Sequence, residues 1–407
     1  MTDRARRVIQ QCADIAGITE EPGRITRRCL TSPMRDVHNY LRRRMGDLDM
    51  AVQVDAAGNL RGIWSPNQSQ LKRLLIGSHL DTVPDAGAFD GVLGVVIALE
   101  WVLLAREMKL PFPIDVVGFS EEEGVRFGLP FIGSRALAGT FDESLLSLRD
   151  DRDTSLDEAL RAFGLNPSEI TNAGVSDDVL GFVEVHIEQG PVLDDSKLSV
   201  AAVNCIVGQT RGTLSFVGQA NHAGTTPMRL RRDALTASAE FILRVEEFAL
   251  REQHLTATVG RIAVEPNATN VIPGTVILSL DCRHPDDGNR TSAVDQLLVR
   301  AQDIAQRRKL AMHWSKQLDQ PAVPMSEKLT AHMAAAIRAA GLPLKVMTSG
   351  AGHDAMIMAT RMPATMLFLR SPGGISHDPR ESVLVEDIEA SLRVAHRFLE
   401  RLAADVG

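Results

Sequence analysis

A largely apolar run at residues 114–119, IDVVGF, passes without a spacer into Ser120, Glu121, Glu122, Glu123 and Gly124. Six residues of this composition read as a buried strand and are too few for a buried helix. Three neighbouring carboxylates at its end repel one another, since two unit charges ~4 Å apart cost on the order of 4 kcal/mol at a surface-like dielectric. Either the turn splays into water, or cations or protons sit among the acids. A buried strand behind the cluster favours cations, and adjacent glutamates divide labour naturally, one binding metal and one moving protons.

Two further strands have the same character. Residues 74–78 are apolar, end in Gly77-Ser78 and deliver His79, while residues 181–187 alternate so that Glu184, His186 and Glu188 share one face. Helical stretches at 91–106 and 155–163 separate the strands, which predicts an α/β layered domain with its site at the strand ends. From residue 211 the order becomes strand (213–217), helix (233–250), strand (256–264), strand (275–283), helix (290–307) and strand (310–315). That is the split βαβ pattern of a small α+β, ferredoxin-like sandwich. After Pro321-Ala322-Val323-Pro324 the α/β style returns with a helix at 327–340, strands at 345–347 and 365–369, and a last helix from Glu386. The expectation is therefore a large α/β catalytic domain, 1–209 and 322–407, with an inserted α+β lid or dimerisation domain at 210–321.

With 407 residues, two domains are the expected number. A formal net charge of -8 and an aromatic content of 4% argue against nucleic acid or an anionic membrane as partner. Arg229, Arg231 and Arg232 read as the polar start of a helix. Cys12, Cys29, Cys205 and Cys282 form no CxxC pair and are expected to be reduced and buried in a cytoplasmic protein. The first residues have charge without a following apolar core, which is no secretory signal. The most apolar run, 91–105, carries Glu100 and is too short to span a bilayer; it reads as a buried helix.

The segment GSHLDTVPDAGAFDG presents His79 and Asp81 two apart after a strand, then Asp90. Imidazole and carboxylate from one loop suit a borderline metal, with Asp81 available to fix the imidazole through its second nitrogen. Gly87 and Gly91 let the backbone bend around Asp90. Taken alone, the same residues make a solvated Asp-Gly turn. His186, in HIEQG, and His377, in GGISHDPRE, are each also compatible with a satisfied core histidine, although Glu381 is placed to support His377. Accumulation shifts the balance, because each strand end of the large domain supplies one such group.

The ordered set SHLDT, DAGAFDG, SEEEGVRF, HIEQGPVL, GQANHAGTTPM, NVIPG, SGAGHDA and GISHDPRE resembles the dinuclear-metal amidohydrolases of ureido and carbamoyl groups, within the aminoacylase-like metallopeptidase clan. The resemblance runs from about Thr26 to about Leu399. It implies two divalent metal ions, held by His79, Asp90 and His186 on one side and by Glu123 and His377 on the other, with Asp90 bridging. It further implies Glu122 as general base, catalytic support from Asp81 and His222, and substrate contacts at Gln189, His222, Asn270, Arg283 and the backbone of Gly352. The lid of such relatives pairs two subunits, implying a homodimer in which His222 and Asn270 serve the same or the partner subunit's active site. Many relatives carry Gly-Gly ahead of the bridging aspartate, whereas this chain has Ala86-Gly87.

Read without the resemblance, Asn270-Val271-Ile272-Pro273-Gly274 is a strand ending in a Pro-Gly turn, and Arg283 is an ordinary surface charge or a planar fork for a substrate carboxylate. The expected reaction is hydrolysis of a linear ureido or carbamoyl C–N bond in a small carboxylate-bearing substrate. The wording around residues 207–211 and 264–266 leans to allantoate. N-carbamoyl-L-amino acids are the alternative, followed by dipeptides or acylated amino acids, and a metal-stabilised binding protein without turnover is the rival from another class. Zinc or manganese is favoured, with cobalt and nickel also suited to the ligand set.

Overall fold

The computed structural model describes residues 1–66 and 71–406. These form two compact units, one made of Met1–Asn204 with Met325–Gly407 and the other of Cys205–Pro324. At the heart of the larger unit four strands run parallel in the spatial order Ile114–Phe119, Arg73–His79, Val179–Ile187 and Ala364–Leu369. Leu60–Trp64 and Ala51–Val54 add antiparallel strands beyond the first, and Val200–Ile206 adds one beyond the last. The four parallel strands are almost wholly buried, as a parallel sheet covered on both faces requires.

Register brings the carboxyl ends of these strands level. His79 pairs with Phe119, and His186 with Phe368. From Arg73–His79 the chain crosses by a helix to Ile114–Phe119 on one side, while the next parallel strand, Val179–Ile187, lies on the other. Strand order thus reverses at His79, and the crevice beyond such a reversal is where open α/β sheets bind ligands.

The crossover helix, Val92–Met108, is apolar all round and has to be covered all round. The sheet lies against one side of it, and the Thr2–Ala16 and Val385–Val406 helices against the other. Its one acid among the buried residues, Glu100, receives a two-pronged pair from Arg7 at 2.8 and 2.9 Å, which answers the cost of burying a carboxylate there. Among the described residues no helix is long and apolar enough to cross a membrane. Ser155 starts the Leu156–Phe163 helix with a reciprocal cap from Glu158. Short strands at Ala51–Val54 and Leu60–Trp64, and Val200–Ile206 beside the insertion, are elements that periodicity did not reveal. The four and five residues of the first two carry too little pattern.

The smaller unit is an antiparallel sheet in the order Ile262–Glu265, Thr275–His284, Gly208–Val217, Ala311–Gln320. Helices Ala234–Ala249 and Asp287–Arg308 cover one face, where Leu214, Phe216, Phe241, Leu278 and Leu297 form the core. Alternation of buried and open residues along Gly208–Val217 and Thr275–His284 follows from that one-sided cover. The single strand expected at 256–264 is two pieces, Thr256–Thr258 and Ile262–Glu265, both paired with Thr275–His284. Between them Arg261 exchanges hydrogen bonds with Ser279 through its backbone, one of them to the Ser279 hydroxyl, and this interrupts the regular ladder. The helix expected from 233 begins at Ala234, capped by the Asp233 side chain, so the arginines before it lie outside it. Arg231 instead ties down its own loop by donating to the carbonyls of Thr226 and Ala223.

Candidate metal centre

His79 and His186 stand at the ends of adjacent parallel strands, and Asp90 arrives on the loop leading into the Val92–Met108 helix. Backbone carbonyls orient both rings: Nδ1 of His79 lies 2.9 Å from the oxygen of Asp81, and Nδ1 of His186 2.9 Å from that of Ile187. With Nδ1 donating, each Nε2 lone pair is directed into the crevice. The two Nε2 atoms lie 3.4 Å apart, and each faces Oδ1 of Asp90, at 3.5 Å for His79 and 3.3 Å for His186. The other oxygen, Oδ2, is 3.2 Å from Nε2 of His377, which is itself 3.6 Å from Oε1 of Glu123.

One carboxylate is therefore shared between two donor sets. His79, Asp90 and His186 make one group, and Asp90, Glu123 and His377 the other, each with ligand atoms within 4.8 Å of one another. Two buried imidazole lone pairs facing each other across a carboxylate are unfavourable without a cation between them, so the donors fit a divalent pair of the borderline type that accepts nitrogen and oxygen. The first group is buried, whereas His377 is exposed, so the cluster opens to solvent on that side.

Electrostatics match this crowding. Burial drives His186 down to about 4. Burial also pushes Glu123 up to about 7 and Glu122 well above the usual carboxylate range, with the negative charge of Glu123 adding to the shift on Glu122. Asp90 is held well below its ordinary value: burial opposes its charge, and contacts to His377 and His79 overcome that.

Glu122 is buried, with Oε2 4.0 Å from Nε2 of His79. Nδ1 of His79 lies 2.9 Å from the carbonyl of Asp81 and 3.9 Å from Oδ1 of its carboxylate, and the carboxylate oxygens accept the N–H groups of Glu122 and Glu123, both at 3.1 Å. The side-chain nitrogen of Gln189 lies 3.1 Å from Oδ2 of Asp90 and 3.4 Å from Nε2 of His377. Gly352 precedes His353, whose ring meets that of His186 edge-on with centroids 4.5 Å apart. An added Cβ at Gly352 would lie 2.9 Å from the Phe131 ring.

In the smaller unit His222 and Asn270 are brought together. His222 pairs with Val271 in a short ribbon, and the carbonyl of Asn270 accepts the N–H of Ala223. Nδ1 of His222 accepts the N–H groups of Gly224 and Thr225, at 3.1 and 3.2 Å, which assigns the proton to Nε2 and leaves that atom a donor. Arg283 lies elsewhere, gripped by Asp281 at 3.0 and 2.9 Å, near the far end of Thr275–His284. Eight residues of strand separate it from Thr275, roughly 26 Å.

The tasks of several residues around the centre escaped the sequence reading. Glu121 accepts the N–H groups of Arg126 and Phe127 at 2.8 Å each and shapes the acidic loop from within. Glu184 accepts from the Ser78 hydroxyl and the Ala355 N–H, both at 2.8 Å, and with His186 and His353 forms a further donor group. The alternation that put Glu184 on the face of His186 was its signal. Glu381 does not address the His377 ring; it turns to the loop of Asp90.

Residues 75–401 match the model of the Peptidase family M20/M25/M40. A probable allantoate deiminase of Oryza sativa subsp. japonica is 36% identical over 397 residues, covering 89% of this chain and 81% of the relative. The N-carbamoyl-L-amino acid amidohydrolase of Geobacillus stearothermophilus is 36% identical over 404 residues, covering 98% and 99%. Among solved structures, an amidase of the hydantoinase/carbamoylase family from Burkholderia multivorans superposes with a TM-score of 0.92 at 31% identity, covering 98% of both chains.

Proposed function

The chain belongs to the peptidase family M20/M25/M40, and from that premise we propose that it hydrolyses a linear ureido or carbamoyl C–N bond in a small substrate bearing a carboxylate. The observation that carries the reading is the division of Asp90 between two histidine sets, an arrangement suited to two divalent cations. His79, Asp90 and His186 would hold one ion, and Asp90, Glu123 and His377 the other, with zinc or manganese favoured. When bound, such a pair supplies Lewis acidity toward the scissile carbonyl and makes water a stronger acid. Allantoate is the first substrate to test, because both the wording at 207–211 and the allantoate deiminase among the relatives favour it. N-carbamoyl-L-amino acids come second, on the carbamoyl relative.

Glu122 would accept a proton on its carboxylate from the attacking water and return it to the departing nitrogen. Asp81 holds the backbone on which Glu122 is carried, and Gln189 offers its amide beside Asp90 for orienting substrate. The Nε2–H of His222 is the donor for the oxyanion that forms on the attacked carbon. Arg283, already planar against Asp281, and Asn270 are the proposed holders of the substrate carboxylate, with the Gly352 backbone as a further contact. Because His222 and Asn270 lie at one end of the small sheet and Arg283 at the other, one small substrate is not reached by both ends of a single copy. That separation supports a homodimer in which each small unit serves two active sites. Four free, buried cysteines support a cytoplasmic setting.

The deciding experiment is ammonia release by protein loaded with Zn²⁺ or Mn²⁺, from allantoate and from a panel of N-carbamoyl-L-amino acids, with Glu122→Gln as control. Ammonia from allantoate that falls by roughly 10²-fold or more in the variant supports the whole reading. Activity confined to the carbamoyl panel changes the substrate and keeps the mechanism. Turnover only of dipeptides or N-acetyl amino acids would refute the ureido assignment, and a protein indifferent to Glu122→Gln would refute catalysis by this residue.

A further inference from the structure

The ligands of the centre sit on two kinds of support. His79 and His186 end strands of the parallel sheet and are fixed by its ladders. Asp90 and His377 come from loops 287 residues apart in sequence, and loops hold a ligand geometry less well than strands do. One side chain joins these loops. Oε1 of Glu381 accepts two consecutive N–H groups of the first loop, from Phe89 at 2.9 Å and Asp90 at 3.0 Å. On its own loop, Oε2 accepts the hydroxyl of Ser376 at 3.3 Å, and that hydroxyl lies 3.4 Å from Oδ2 of Asp90. Glu381 is 5% exposed, so water does not compete for these bonds.

Gly87 shows how tightly the carboxyl is seated. A Cβ there would lie 2.4 Å from both Cβ and Oε1 of Glu381, so a glycine is needed for the side chain to cross the Asp90 loop. Ala86, where many relatives have the other glycine, is buried with its N–H given to the Ile25 carbonyl, and its methyl is accommodated.

We infer that Glu381 is a positioning residue that sets how far Asp90 stands from His377, and so acts chiefly on the donor group of Asp90, Glu123 and His377, whose other ligands lie on loops. The inference rests on the metal reading above and is independent of which substrate is turned over. If the clasp is released, the Phe89-Asp90 peptide is free to shift relative to Ser376-His377. Oδ2 of Asp90 then loses its 3.2 Å relation to His377, and Oδ1 moves with it, but His79 and His186 stay where the sheet puts them and keep two ligands on their ion, so the loss falls mainly on the other group.

The test is Zn²⁺ titration of chelator-stripped protein by calorimetry, with thermal melting of the stripped form as the fold control. Wild type is expected to take two ions. Glu381→Ala is expected to weaken one of them by roughly 10- to 100-fold and the other clearly less, with the stripped form lowered in melting temperature by the two unpaired N–H groups but still unfolding in one cooperative transition. Glu381→Gln keeps an oxygen for the two N–H groups and should recover most of the lost affinity. Gly87→Ala, which crowds the carboxyl out of its seat, should reproduce the selective loss, and the double variant Gly87→Ala/Glu381→Ala should be no worse than the worse single one. Should Glu381→Ala fail to fold, Gly87→Ala and Glu381→Gln carry the test. Two ions bound at wild-type affinity in Glu381→Ala and Gly87→Ala, or equal weakening of both ions, would overturn the inference. Wild type that binds fewer than two ions sinks the metal reading itself, and wild type that binds two yet releases no ammonia sinks only the substrate.

Discussion

Oδ1 of Asp81 lies 3.1 Å from the backbone nitrogen of Glu122, so the acid two residues after His79 holds the proposed base by its main chain. Oδ2 does the same for Glu123 at 3.1 Å. Both oxygens are committed, and Asp81 is buried. Asp81→Asn keeps one acceptor and turns an amide donor toward the other N–H, leaving a buried donor unpaired at about 1–3 kcal/mol. The expected result is a fall in kcat of roughly 10- to 100-fold with KM little altered, because Glu122 and Glu123 shift together. Steady-state kinetics on whichever substrate is turned over reads this directly, and an unchanged kcat would show that the two amides need no such anchor.

Gly91 has φ +67° and lies under the His79 ring, where an added Cβ would approach ring carbons to 2.5 Å. Gly91→Ala therefore strains the backbone by on the order of 1–3 kcal/mol and also displaces a proposed metal ligand. Metal content by elemental analysis should drop on the His79 side, along with the melting temperature. Full metal content in a stable Gly91→Ala protein would mean that the ring has room that its neighbours deny.

Removal of metal gives a prediction about stability as well as rate. Without a cation the neighbouring carboxylates of Glu122 and Glu123 repel one another and the ligands lose their shared partner, so chelation should abolish ammonia release and lower the melting temperature. Zn²⁺ or Mn²⁺ at about 100 times its dissociation constant restores roughly 2.7 kcal/mol per site. Differential scanning calorimetry with and without chelator checks this. A melting temperature indifferent to metal would contradict a preformed centre.

His38, far in sequence from the centre, tests the same physics of burial. Its ring is buried on the Ser32–Gly46 helix, edge-on to Phe163, and burial aided by the charge of Arg42 lowers its pKa from the ordinary 6.5 to about 4. The unfolded chain takes up the proton first as pH falls. The stability contributed by the neutral ring is thus complete above pH 6.5 and is lost as pH drops through 4. Between pH 7 and pH 5 the loss is about 2 kcal/mol. His38→Phe should remove that share of the pH dependence, seen in urea unfolding of stripped protein at the two pH values, whereas equal slopes in both proteins would show that the ring is protonated in the fold.

Most of the parallel sheet was legible because its strands are apolar runs bounded by polar loops, a local pattern that burial on both faces imposes. Ile114–Phe119 is such a case, and the three glutamates after it mark the strand end as a site. The edge strand Ala51–Val54, half exposed and four residues long, left no comparable trace. Within the acidic loop, sequence separated neither Glu121 from its neighbours nor its task from theirs. One oxygen of its carboxylate, Oε1, is taken by the N–H groups of Arg126 and Phe127, a matter of how the loop closes.

The sequence by itself determined which residues stand at the strand ends, since the period of two and the position of a strand's last apolar residue are written locally. Tertiary structure alone decided what each group does once there. Asp81 turned its carboxylate to the glutamate loop and its carbonyl to His79, Glu381 reached across to Phe89 and Asp90, and Arg283 was carried to the far end of the sheet from His222. Each of those choices depends on which N–H groups are left without a partner when loops distant in sequence are packed together, and that is known only after the fold has closed.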